Sequence, residues 1–288
     1  MIKGIFKQSG AGSKLFLLLV VFIFSMLLSV LLSGTVGNND LNDIKNLKIM
    51  QLIQSVGMFV VPPFVLAFLW SENTFEYLKL KSKFNLSNAA LVINFMILVI
   101  PFINLLTWLN QQIVLPSFLS GLEEQMKLYE NQIAGITEKM LNVHTAGALI
   151  FNLVLIAALP ALGEELFFRA TLQKIIGERW NMKTAIWLTA VIFSIIHLQF
   201  YGFFPRMLLG AFFGYMLLWS GNLWYSVLAH FVNNAIAVIY YYMKFNGFSL
   251  PDFNTIGTGK TWYIGIISCV ICVIILRQIR IHLKRELK

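Results

Sequence analysis

Eight apolar stretches run through the chain, at roughly 15–33, 51–70, 88–108, 146–177, 184–200, 206–219, 223–243 and 262–277. Interfacial tryptophans and glycine or proline breaks bound them. A helix needs about 20 such residues to cross the ~30 Å hydrocarbon layer of a membrane. The pattern therefore predicts an all-α polytopic membrane protein, a bundle of about eight transmembrane helices. The 206–219 and 146–162 stretches are short for a full crossing. Between the third and fourth spans, residues 110–145 set leucines and isoleucines among polar residues, which predicts a helix lying along the membrane surface. Pro62-Pro63, Pro101 and Pro160 fall inside spans and should kink them, with neighbouring helices satisfying the freed carbonyls.

Three regions follow from this pattern. Residues 1–145 hold the first transmembrane helices and the extramembrane segment, 146–245 hold the polar core helices, and 246–288 hold the last helix and a basic tail.

Composition agrees. The chain of 288 residues is 58% hydrophobic and 12% charged, about half the charge of a soluble domain. Its net charge of +9 does not point to nucleic acid, because the basic residues sit in loops and tails beside apolar runs. Lys3, Lys7 and Lys14 precede the first span. Lys79, Lys81 and Lys83 follow the second, and Lys174, Arg179 and Lys183 follow the fourth. Arg277, Arg280, Lys284, Arg285 and Lys288 follow the eighth. Eight crossings put all four clusters on one side, which the positive-inside rule makes cytoplasmic. The expected location is the cell membrane, with multiple passes and both termini cytoplasmic. The run after Lys14 has the length of an uncleaved first helix rather than of a signal peptide. Cys269 and Cys272 form a C-x-x-C within an apolar run, where they read as two small apolar residues on one helix face.

Against this background the polar residues inside spans stand out, because each costs free energy in hydrocarbon. Glu164 and Glu165 are adjacent, and Arg169 lies four residues beyond Glu165, on the same face of a helix. The arginine can neutralise Glu165. Glu164, about 100° away round the helix, has no local counter-charge, as a general base requires. His197 ends F193-S-I-I-H197, and His230 and Asn234 share a face in H230-F-V-N-N234.

A hairpin argument brings them together. Glu164 and His197 lie at nearly equal distances on either side of a turn near Trp180, roughly 24–26 Å from its tip. His230 lies only roughly 13 Å beyond the turn at Ser220–Asn222. The depths match if the Gly177–Lys183 hairpin protrudes past the other turn. Two carboxylates, two imidazoles and an amide near one depth are an inventory for water activation and oxyanion stabilisation. The expected cavity holds Glu164, His197, His230 and Asn234 and opens toward the basic side.

The order E164-E165-x-x-x-R169, F193-x-x-x-H197, H230-x-x-x-N234 resembles the CPBP family of CAAX proteases and bacteriocin-processing enzymes, the Abi-type intramembrane proteases. A helix with G210-A-F-F-G214 and a short S220-G-N turn before the last motif are also similar. The resemblance implies an intramembrane metalloendopeptidase acting on a lipidated or hydrophobic peptide. It implies Glu164 as the base, Glu165 paired with Arg169, and His197 and His230 on a metal or the attacking water. Asn234 would stabilise the oxyanion. Glu164, His197 and His230 would be the ligands of a divalent metal, zinc in first place, and a metal-free, glutamate-dependent reaction stays open. Membrane lipids are the other expected partner. The oligomeric state is open, as is the substrate.

Two other readings compete. A non-catalytic bacteriocin-immunity or scaffold protein could keep the fold, although complete motifs argue against it. A proton-coupled transporter could use the same Glu and His residues, but the sequence lacks the internal repeat such folds carry.

Overall fold

The structure, a computed structural model, describes residues 2–36, 43–82 and 84–286. Lys83 and Lys288 of the basic clusters lie outside the described residues. Nine helices organise the described chain: α1 (Ala11–Val36), α2 (Ile44–Trp70), α3 (Leu86–Gln111), α4 (Ser120–Leu141), α5 (Ala146–Arg179), α6 (Met182–Ile196), α7 (Phe203–Ser220), α8 (Leu223–Phe245) and α9 (Trp262–Glu286). No strand occurs among the described residues. The protein is an all-α, polytopic membrane protein. Polar residues at the boundaries set several helix starts. Asp43, Asn85, Thr145, Asn181 and Asn222 each accept a hydrogen bond from a backbone N–H of the first turn.

Seven apolar helices are long enough to cross a membrane, and α6 is a shorter apolar helix of 15 residues. At 1.5 Å per residue it spans only about 22 Å. The eight apolar stretches are thus present as helices, one of them too short to cross alone. The sequence suggested a different short member: the 206–219 stretch lies within α7, which is longer than expected because Phe203–Pro205 join it.

The helices nevertheless alternate in direction through the bundle. At one end Lys14 of α1 pairs with Glu178 of α5 at 2.7 Å, and Lys174 donates to the Tyr77 carbonyl. The Leu223 N–H there donates to the Lys79 carbonyl. Ile279 and Leu283 of α9 pack in one cluster with Met216 and Trp219 of α7, so the C-terminal half of α9 reaches this end too. The described residues of the four basic clusters therefore gather at one end. At the other end Asn246 binds the Val143 carbonyl, Asn104 binds the carbonyls of Phe253 and Ile256, and Asn110 accepts from the Phe204 N–H.

The expected helix within 110–145 is α4. It packs against the start of α2 and against α8. Glu123 and Glu130 tie it to the loop before α7, through the Tyr201 hydroxyl and backbone N–H.

The proline expectation takes a particular form. Pro62-Pro63 follow a π-helical stretch, Ser55–Val60, and Pro160 follows another, Leu153–Ala158. A π turn widens the helix and absorbs the hydrogen bond that proline cannot make. Pro101 instead follows a break at Val99. A third π stretch, Leu166–Gln173, contains no proline. There the Thr171 hydroxyl donates to the Leu166 carbonyl at 2.9 Å, supplying one bond locally. It begins directly after Glu165.

Candidate active site

The site begins with a close helix approach. A Cβ at Gly163 would stand 3.0 Å from Phe59 Cβ and 3.3 Å from the Ser55 carbonyl oxygen, so a side chain there would press α5 away from the π stretch of α2 by a few tenths of an ångström. The two carboxylates that follow point in different directions. Glu165 is fully buried, and its Oε1 lies 3.1 Å from Arg169 Nη1, an ion pair by distance although not aligned as a hydrogen bond. Arg169 is itself 1% exposed. Its Nη2 donates to the Gly210 carbonyl at 3.1 Å, and its guanidinium carbon sits 4.4 Å from the centre of the Phe193 ring.

Glu165 also accepts from His230 Nδ1 at 2.9 Å. A carboxylate paired with Arg169 accepts, so the imidazole is the donor, and a neutral His230 then carries a bare lone pair on Nε2. The Phe213 ring stacks on the imidazole at 4.9 Å and fixes its plane. His197 is the C-terminal cap of α6, and its Nδ1 lies 2.7 Å from the Phe193 carbonyl. A carbonyl can only accept, so Nδ1 carries the proton and a neutral His197 also has a bare Nε2. Both Nε2 atoms face one oxygen: Glu164 Oε2 is 3.8 Å from His230 Nε2 and 4.0 Å from His197 Nε2. That oxygen is buried and has no hydrogen-bond partner among the described residues.

Three acceptors thus converge with no donor between them. An unsatisfied buried oxygen costs about 1–3 kcal/mol, so the arrangement calls for a water that donates or for a cation. The donor set, two imidazole nitrogens and a carboxylate oxygen, suits a divalent metal such as zinc. Each imidazole has its other nitrogen fixed by an oxygen acceptor, as metal-bound histidines do. Among the described residues no three such side chains are already drawn to ligand distance. The gaps of 3.8 and 4.0 Å exceed the ~3.3 Å between ligands around a tetrahedral zinc.

The expected residues therefore come together except for one. Glu164, Glu165, Arg169, His197 and His230 form one connected group. Asn234 lies one turn further along α8, and its Oδ1 accepts from Asn233 Nδ2 at 3.2 Å. Among the described residues no hydrogen bond joins it to the group. The depth argument is met in the required way. Gly221 at the α7–α8 turn lines one cavity with Arg169 and Lys174, so the α5–α6 hairpin overshoots that turn by about six residues, or ~9 Å.

Sequence reasoning missed Arg206. Its guanidinium donates to the Gln199 carbonyl and side chain, and its charge acts on Glu164, His197 and Glu130. The signal was available as a lone arginine at the edge of an apolar stretch, far in sequence from the basic clusters. Leu198, beside His197, adopts a left-handed backbone with φ 54°, a strained choice for a branched residue. The polar groups nearest the site, Arg206, Gln199 and Glu130, lie toward the α4 end. The sequence had the site open toward the basic end.

Residues 146–236 match the Rce1-like family, described as type II CAAX prenyl endopeptidase Rce1-like. The match covers less than half of the chain and contains all three motifs, so the resemblance to the CAAX protease family is borne out over this segment. No curated protein and no solved structure matches the chain.

Proposed function

We propose that this protein is an intramembrane endopeptidase that hydrolyses a peptide bond in a hydrophobic or lipidated peptide, with Glu164 as general base. The observation that carries the reading is the buried, partnerless Glu164 Oε2 facing two imidazole Nε2 atoms. A water there would donate to Glu164 and to one imidazole, leaving its oxygen lone pair free to attack. Glu164 takes the water proton as the C–O bond forms at the scissile carbonyl. It returns that proton to the amine nitrogen as the C–N bond breaks. Glu165, locked between Arg169 and His230, holds the His230 ring and its tautomer. Asn234 carries an amide N–H2 one turn from His230 and would reach the developing oxyanion through a change of side-chain rotamer.

Glu164, His197 and His230 would hold a divalent metal, which when bound supplies Lewis acidity and lowers the pKa of the attacking water. The family match over residues 146–236 supports a protease of this general kind.

The basic end faces the cytoplasm of the cell membrane in this reading, which places α4 and the Arg206 side of the site on the opposite face. The test is purified protein in nanodiscs with a mixture of hydrophobic peptides, products being read by mass spectrometry. Cleavage by the wild type and none by Glu164→Gln supports the proposal. Identical product patterns from the two proteins, or no cleavage from either, overturn it.

A further inference from the structure

The turn that follows His197 is strained and is held from outside. Leu198 takes its left-handed backbone while its side chain is 64% exposed, so no packing of its own keeps it there. A leucine stays in such a conformation only where its surroundings impose it. Three helices do so here. Arg206 of α7 reaches back to Gln199, donating from Nη1 to the carbonyl at 3.3 Å and from Nη2 to the side-chain oxygen. Glu130 of α4 accepts the Tyr201 N–H at 3.0 Å, and the buried Tyr201 hydroxyl donates to Glu123 of the same helix. The Ser194 hydroxyl of α6 donates to the Phe203 carbonyl at 2.7 Å. Arg206 also stands at the right level. Gly210 of α7 meets Phe193 of α6 closely, and one turn further along each antiparallel helix come Arg206 and His197.

We propose that Arg206 and Glu130 are positioning residues for His197: they clasp the turn behind it from two sides and so fix where its Nε2 points. His197 caps α6, and its Nδ1 bond to the Phe193 carbonyl ties the ring to the last turn of that helix. Without the clasp Leu198 would relax toward an ordinary backbone. The last turn of α6, with the ring on it, would then turn away from Glu164 Oε2, which lies 4.0 Å from His197 Nε2. In this way α4, which is not among the helices long and apolar enough to cross a membrane, supports a group inside the bundle. The role in hydrolysis rests on the peptidase reading above, whereas the clasp itself does not.

The experiment follows backbone hydrogen exchange and peptide hydrolysis of the full chain in nanodiscs. Exchange at 199–203 should speed up by about tenfold or more in Arg206→Gln and in Glu130→Ala. Glu130→Gln keeps an acceptor oxygen for the Tyr201 N–H and should exchange like the wild type. So should Glu124→Gln, an exposed position on the same helix. In the two clasp variants kcat should fall by about tenfold with KM nearly unchanged. Adding Leu198→Gly, which takes the left-handed backbone without strain, should restore part of both the slow exchange and kcat. A loss through general destabilisation would not be restored. If Arg206→Gln fails to fold, Glu130→Ala, outside the spans, carries the same comparison. Unchanged exchange in the clasp variants overturns the clasp. Faster exchange with undiminished kcat, or no rescue by Leu198→Gly, overturns the positioning role. No cleavage by the wild type overturns the peptidase reading and the role within it, and exchange then still decides the clasp.

Discussion

Glu165 Oε1 accepts from His230 Nδ1 at 2.9 Å, in the interior of the bundle and between two different helices. The same oxygen faces Arg169, so one atom of α5 serves both an arginine and a histidine. Removing either charged member leaves the other buried and uncompensated, at a cost of about 3–5 kcal/mol. Glu165→Gln and Arg169→Gln should each lower the unfolding temperature markedly. The double variant should lose less than the sum of the two, because it leaves no orphan charge. Strictly additive losses would show that the two do not act as a pair.

Glu164→Gln should behave in the opposite way. Its Oε2 has no hydrogen-bond partner to lose, and glutamine keeps the shape. Hydrolysis should fall by about 10²–10⁴-fold, the usual contribution of a general base, with the unfolding temperature nearly unchanged. Undiminished turnover would place the base elsewhere.

Gly210 tests the contact of α6 with α7. A Cβ there would stand 3.1 Å from Phe193 Cδ1 and 3.3 Å from Arg169 Nη2. Gly210→Val should destabilise by about 1–3 kcal/mol through overpacking, and it should disturb the Arg169 bond to the Gly210 carbonyl as well. Gly147→Val, where nothing lies within 4 Å, is the control. Equal stability of the two variants, measured by thermal unfolding in one detergent, would contradict the close approach.

The docking of α4 should depend on pH. The Lys127 ammonium, with help from the Leu115 N–H, holds the Glu123 carboxyl below the usual range. A folded value below the unfolded one means that the stabilisation is present above the unfolded value of about 4.3. It is lost as pH falls through the lowered folded value. Hydrogen exchange of the backbone at 115–130 should therefore speed up below about pH 4.3, beyond the intrinsic change with pH. In Glu123→Gln the extra acceleration should be gone. An extra acceleration of equal size in that variant would assign the effect to other carboxyls.

The helical plan was readable because hydrocarbon tolerates few alternatives. A span must be apolar and long, and its ends are marked by residues such as Asn181 and Asn222 that cap the next helix. The pairing of Glu165 with Arg169 was readable for a similar local reason, since i,i+4 positions share a helix face. The bond from Glu165 to His230 was not. It joins residues 65 apart, and the sequence holds no local signal for which carboxylate the imidazole will choose. The short α6 was hidden for a different reason. His197-Leu198-Gln199 continues the apolar stretch, and only the left-handed backbone at Leu198 ends the helix early. Arg206 was hidden by its context, being read as the edge of a span.

The π stretch from Leu166 to Gln173 makes residue number as important to α5 as residue type. Each such turn holds one residue more than the α turn it replaces. Were the helix there to relax to ordinary pitch with every residue kept, the extra residue would rotate everything beyond by about 100° relative to the glutamates. Gln173 would then leave the Gly214 carbonyl, and Lys174 would leave Tyr77. Apolarity, length enough to span and all three motif strings would be unchanged by such a relaxation. A chain one residue shorter in this segment could keep the geometry with an ordinary α turn, so a single-residue gap in an alignment here is no sign of a different site.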